Sequence, residues 1–193
     1  MVGTIKLVAT IWSRHVVAAA ACLGLLAAPV SAETLVRAGL PLANGPDPYG
    51  AAVARLVGSI AEYSRWPDER SALRLCVAGP TDHADRLGSR TLSQRKTITV
   101  ARVDRPDLTS NCDVVYLGRL SLEDQRQITS GLLGKPVLTI AESDPACRSR
   151  AMICLLFEAE ALSFRLNIDA VSRSKVRIDA RVLRMAAPGG PGK

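Results

Sequence analysis

From Tyr49 onward, apolar residues recur at three- and four-residue spacing: Val53, Leu56, Val57, Ile60 and Tyr63. That spacing places one apolar stripe along a helix. Pro67 predicts where the helix stops and restricts Trp66 before it. The pattern then changes. LRLCVAG (73–79) predicts a strand ending in a glycine turn, and TITVARV (97–103), DVVYLG (113–118) and KPVLTIAE (135–142) predict three more. Between them, TDHADRLG (81–88) predicts a short helix capped by Thr81 or Asp82. Ser121 and Asp124 flank the start of a helix that runs to about Leu133, close to a capping box. Strands alternating with helices argue for an α/β fold, with a mainly parallel sheet covered on both faces. AMICLLF (151–157) and ALSFRLNI (161–168), joined by Glu158-Ala159-Glu160, predict an antiparallel hairpin at one edge of that sheet. DARVLRMA (179–186) predicts a closing helix, and no internal repeat is present.

The two ends break this alternation. The chain begins with a cationic start, Lys6 and Arg14, followed by an almost uninterrupted apolar run from Val16 to Val30 and the small residues Ser31-Ala32. This is the pattern of a secretory signal, with cleavage expected after Ala32. The run is shorter than the roughly 20 apolar residues that span a membrane. Residues 33–48 turn rich in Gly and Pro near their end and read as a flexible lead-in. The domain proper is expected over 49–187, with a disordered PGGPGK tail at 188–193.

Export changes how the cysteines are read. Cys22 leaves with the signal, while Cys76, Cys112, Cys147 and Cys154 remain. An even number in an exported chain reads as a disulfide framework. Four cysteines allow three pairings, and sequence alone does not choose among them. Locality favours Cys147–Cys154, which leaves Cys76–Cys112. Loop-closure entropy assigns about 2.5 kcal/mol to the short loop and about 3.8 kcal/mol to the long one. Zinc needs tighter pairs and usually histidine. The segment after Ala32 has a single histidine, His83, and no C-x-x-C.

Charge and motifs then exclude function classes. Without residues 1–32 the net charge is +5, from 23 basic against 18 acidic residues. There is no Lys/Arg block and there are few aromatics, which disfavours nucleic acid. A cationic face would instead meet an anionic ligand or an acidic partner surface. GLLGK (131–135) lacks the full phosphate-loop spacing and lies at a helix end. No nucleophile-elbow context accompanies His83, so no catalytic triad is assigned. The sequence carries no cofactor fingerprint.

Read in order, several segments form a pattern: YSRWP (63–67), LRLCVAG, CDVVYLG, PVLTIAESDPACRSRAMICL, and SFRLNIDAVSRSKVRIDARVLRMA (163–186). Together they resemble the YfiR-like family of periplasmic proteins. The resemblance implies a Rossmann-like fold containing both disulfides proposed above. It also implies a non-catalytic role, repressing an inner-membrane diguanylate cyclase or related signalling protein from the periplasm. That role governs cyclic-di-GMP and biofilm formation, with a tendency to form homodimers. In relatives, the segments carrying Arg65 and Arg177 come together. Two arginines facing one cleft suit a phosphate or carboxylate, and Asp179 is the neighbouring acid expected to pair with one of them. The 163–174 edge corresponds to the region relatives use to meet partners, and Arg165 and Val171 are its partner-binding candidates. This chain departs from the family in RSRA (148–151), where relatives carry a glycine-rich turn.

Overall fold

The computed structural model describes residues 33–40, 42–92, 96–103 and 111–184. The expected signal segment, 1–32, and the tail, 188–193, lie outside them. Among the described residues, ten strands and four helices follow in the order β1 (Glu33–Leu40), α1 (Gly50–Glu62), β2 (Ser64–Arg65), β3 (Ala72–Ala78), β4 (Arg90–Thr91), β5 (Thr97–Val103), β6 (Val114–Leu117), α2 (Leu122–Leu132), β7 (Leu138–Ala141), β8 (Ile153–Glu158), β9 (Ala161–Asn167), α3 (Ile168–Arg173), β10 (Arg177–Ile178) and α4 (Arg181–Arg184).

Eight of the strands form one sheet in the order β1-β9-β8-β7-β6-β3-β5-β4, and β10 pairs with β2 in a separate two-stranded ladder. The pairs β5–β3, β3–β6, β6–β7 and β7–β8 are parallel. The pairs β8–β9, β9–β1 and β5–β4 are antiparallel. The mixed α/β architecture with a mostly parallel sheet therefore stands.

Alternate residues of a strand point to opposite faces, so one short strand feeds two cores. Val114 and Tyr116 of β6 join the larger apolar cluster with Val53, Leu56, Val57 and Ile60 of α1. Val115 and Leu117 face the other way and join Leu132, Val137, Cys76, Cys112, Cys147 and Cys154. The apolar stripe read in α1 is the face that is buried, with Val53 and Ile60 wholly inaccessible. α2 begins as its sequence predicts: the Ser121 hydroxyl accepts the Asp124 N–H at 3.1 Å.

Two expectations are corrected. Residues 33–40, expected within a flexible lead-in, form β1 and pair with β9, with Glu33 opposite Asn167 and a register shift before Leu40. An unpaired outer edge of β9 would leave a row of backbone N–H and C=O groups open, and β1 satisfies them. As a consequence β9 is an interior strand, and the 163–174 segment is not a free sheet edge. Residues 81–88 form bends and a turn in place of a helix. The backbone N–H groups of Asp82 and His83 point at the buried Glu142 carboxylate, at 3.1 and 2.8 Å, which competes with local helical bonding. The closing helix is described over Arg181–Arg184, and residues 185–186 of its expected span lie outside the described residues.

Candidate functional site

Helix α1 ends at Glu62, and the next residues straighten. Ser64 is wholly buried, and its hydroxyl donates to the Ile60 carbonyl at 2.7 Å, closing the last turn. This places Arg65 on β2, directly opposite Arg177 on β10, with Ser64 opposite Ile178. The two arginines named from sequence are therefore cross-strand neighbours. Like charges directly opposite one another destabilise a ladder. Neither guanidinium has an ion-pair partner among the described residues.

Asp179 was expected to pair with one of these arginines, and the structure corrects this. Its carboxylate accepts the Arg181 backbone N–H and a guanidinium N–H of the same residue, each at 2.9 Å. These bonds lower its pKa to about 2, with a smaller contribution from the Arg65 charge. Arg181 also lies over the Tyr63 ring at 4.7 Å. Two residues apart, Asp179 and Arg181 satisfy each other before Asp179 can reach across the ladder.

Trp66 separates two clefts at this ladder. One, of about 400 Å³, is lined by Arg65, Trp66, Pro67, Ser174, Lys175 and Arg177. The other, of about 690 Å³, lies between Trp66, Arg70 and Lys96. Trp66 is 8 % exposed, and its buried indole N–H has no acceptor among the described residues. Lys96 sits 5.7 Å from the indole ring centre and donates to the Ser64 carbonyl at 2.9 Å. Burial first, and then the Arg65 charge, lower its pKa. Arg65, Lys96, Lys175 and Arg177 thus converge on one indole. Sequence reading missed the two lysines. Lys175 lies two residues before Arg177, a spacing that hints at a shared side of an extended segment. Lys96, just before β5, is remote from Trp66 in sequence and left no local signal.

The second set of candidates, Arg165 and Val171, is dispersed. Arg165 sits half-buried in the interior strand β9, opposite Leu35 on one side and Cys154 on the other. Val171, on α3, is partly buried and packs against the main apolar cluster. Neither points freely outward, because the pairing of β1 and the unpredicted α3 enclose them. The exposed residues of this segment are Ile168, Asp169, Ser172 and Arg173. Both cysteine pairs lie at bonding distance, with Cα separations of 5.8 Å for Cys76–Cys112 and 5.5 Å for Cys147–Cys154.

Among the described residues, no group of three or more His, Cys, Asp or Glu is arranged to hold a metal ion. No described helix is long and apolar enough to cross a membrane. Comparison with known proteins matches residues 51–187 to the family described as YfiR/HmsC-like. Among solved structures, a chain from a study of sulfur transfer catalysed by O-acetylhomoserine sulfhydrylase of Wolinella succinogenes is similar at 14 % identity and a TM-score of 0.32. The match covers 69 % of this chain and 40 % of that one, and at this level it carries no functional argument.

Proposed function

The chain belongs to the YfiR/HmsC-like family, and on that basis we propose that it is a non-catalytic periplasmic regulator that represses a membrane-bound diguanylate cyclase or related signalling protein by direct binding. Family membership over residues 51–187 carries this reading. The two cysteine pairs support an oxidising compartment, since disulfides persist in exported proteins. The parallel block β5-β3-β6-β7-β8 supports reading the fold as Rossmann-like. The partner-facing surface is the exposed side of α3, with Val171 at its margin and Arg165 behind it. In this reading the working unit is a homodimer.

The test is co-purification of the full chain with a membrane-bound diguanylate cyclase of the same cells, together with cellular cyclic-di-GMP. Val171→Asp places a charge at the margin of the contact and is expected to abolish both binding and repression. Normal binding and repression by a folded Val171→Asp chain would remove this surface from consideration.

A second reading rests on a specific observation. The cross-strand Arg65–Arg177 pair, with Lys175 beside it, is a cationic site whose neighbouring acid, Asp179, is already bonded to Arg181. A small phosphate or carboxylate ligand bound there would relieve the repulsion and couple ligand to regulation. Isothermal titration with inorganic phosphate is expected to show binding that Arg65→Ser removes. Equal heats from parent and variant would sink it.

A further inference from the structure

The loop between the nearer cysteine pair is held in an unusual shape. Cys147 and Arg150 both adopt left-handed backbone conformations, with φ of 53° and 62°. Side chains avoid this region, and such strain persists only where surroundings over-determine it. Those surroundings are visible. The Thr129 hydroxyl donates to the Ser149 carbonyl at 2.6 Å, and Arg126 Nε donates to the Arg148 carbonyl at 2.9 Å. The Cys147 N–H donates to the Asp144 carbonyl at 2.9 Å. Ser149 is wholly buried, while Arg148 and Arg150 on either side of it are exposed. The loop is thus fastened to α2 and presents two arginines from a fixed base.

Those arginines border a groove of about 430 Å³ that runs from the end of α2 across the loop to α3, and Arg173 lines its far side. Among the described residues of the groove wall the one acid, Asp169, is already paired with Arg173 at 2.8 Å. Among the described residues, Arg148 and Arg150 have no ion-pair partner. Leu133, in the same wall, is 57 % exposed, and Ile168, between the lining residues Asn167 and Asp169, is 39 % exposed. These are the exposed large hydrophobic residues of the described structure. Fixed arginines beside a solvent-facing leucine combine the two residue roles that anchor protein contacts, a buried apolar centre with charged recognition around it.

We propose that this groove binds an acidic segment of a protein partner, its carboxylates on Arg148 and Arg150 and a large apolar side chain on Leu133. Charge complementarity selects the occupant: the wall offers two uncompensated cations and no spare anion. The Leu133 anchor favours a peptide over a bare inorganic anion. The inference deepens the partner-binding reading and rests on it only in taking the occupant to be a protein.

The probe is an acetylated, amidated peptide of alternating glutamate and leucine, labelled for fluorescence polarisation and titrated into the full chain without its signal. Binding is expected to weaken steeply with salt. Arg148→Ser/Arg150→Ser is expected to weaken it at least tenfold and Leu133→Ser at least threefold, while the control Arg102→Ser leaves it unchanged. Amide shifts in the nuclear magnetic resonance spectrum are expected to cluster over 129–134, 147–150 and 167–173. Absence of binding, unchanged affinity in the double variant, or shifts elsewhere overturns the proposal. Displacement by inorganic phosphate at equal charge also overturns it, reducing the groove to an anion site. Failure here while Val171→Asp still abolishes co-purification refutes the groove alone; intact peptide binding with normal co-purification of Val171→Asp refutes the partner surface alone.

Discussion

Tyr116→Phe probes the polar centre on which the turn after β3 is built. Glu142, at the end of β7, is 2 % exposed. Its carboxylate accepts the Asp82 N–H at 3.1 Å, the His83 N–H at 2.8 Å and the Tyr116 hydroxyl at 3.0 Å. Tyr116 is itself wholly buried. Removing its hydroxyl leaves the ring packed but takes one of three donors from a buried charge. A hydrogen bond to a charged group is worth about 1.5–3 kcal/mol net, so the expected cost is about 2 kcal/mol. Urea unfolding of the oxidised chain at neutral pH reads this as a lower midpoint at unchanged slope, a shift of about 1 M for slopes of the usual size. In a Glu142→Gln background the same substitution is expected to cost less, because the charged acceptor is gone.

The pH dependence supplies a second arm. Burial, then the Glu142 charge and its hydrogen bond, hold the Tyr116 phenol far above its ordinary range. Its folded pKa therefore lies above the unfolded value. The stability it contributes is complete below about pH 10 and falls as the unfolded chain ionises above that. The gap between parent and Tyr116→Phe is expected to narrow between pH 8 and about 11. A cost under about 0.5 kcal/mol, within the noise of surface substitutions, or a gap that stays constant with pH, would refute the role given to this cluster.

Non-reducing peptide mapping is expected to join Cys76 to Cys112 and Cys147 to Cys154, and replacing the first pair is expected to cost about 1 kcal/mol more than the second, from the longer closed loop. Gly118→Ala would drive a Cβ into the Pro80 carbonyl and the Thr81 side chain, so thermal melting is expected to fall by several degrees, as a cost of about 1–3 kcal/mol implies. A carboxyl titration by nuclear magnetic resonance is expected to place Asp179 at about 2, returning toward 3.8 in Arg181→Ala. Because its folded pKa is depressed, the stability it contributes is present above its unfolded value and is lost as pH falls toward about 2.

Local periodicity was enough to predict α1, α2 and the four central strands, because each must bury a stripe or face whose spacing is written in consecutive residues. It was enough to nominate the cysteine pairs, because proximity in a chain limits which loops close cheaply. Arg65 and Arg177 were singled out through a family resemblance, not by periodicity. What lay beyond it was decided by partners remote in sequence. The segment 33–40 becomes a strand because β9 has an edge to cover. The 81–88 stretch gives up helical bonding because Glu142, about sixty residues on, takes its N–H groups. Arg165 lies in the interior for the same reason that β1 exists. Lys96 reaches Trp66 only once β5 is laid beside β3. The arginines of CRSRAMIC are visible in the sequence, but their presentation on a fastened loop facing Leu133 and α3 comes only from packing. Hydrophobic periodicity is a local property that a chain carries by itself, whereas edge pairing, buried carboxylates and converging charges depend on long-range closure, whose register no short stretch encodes.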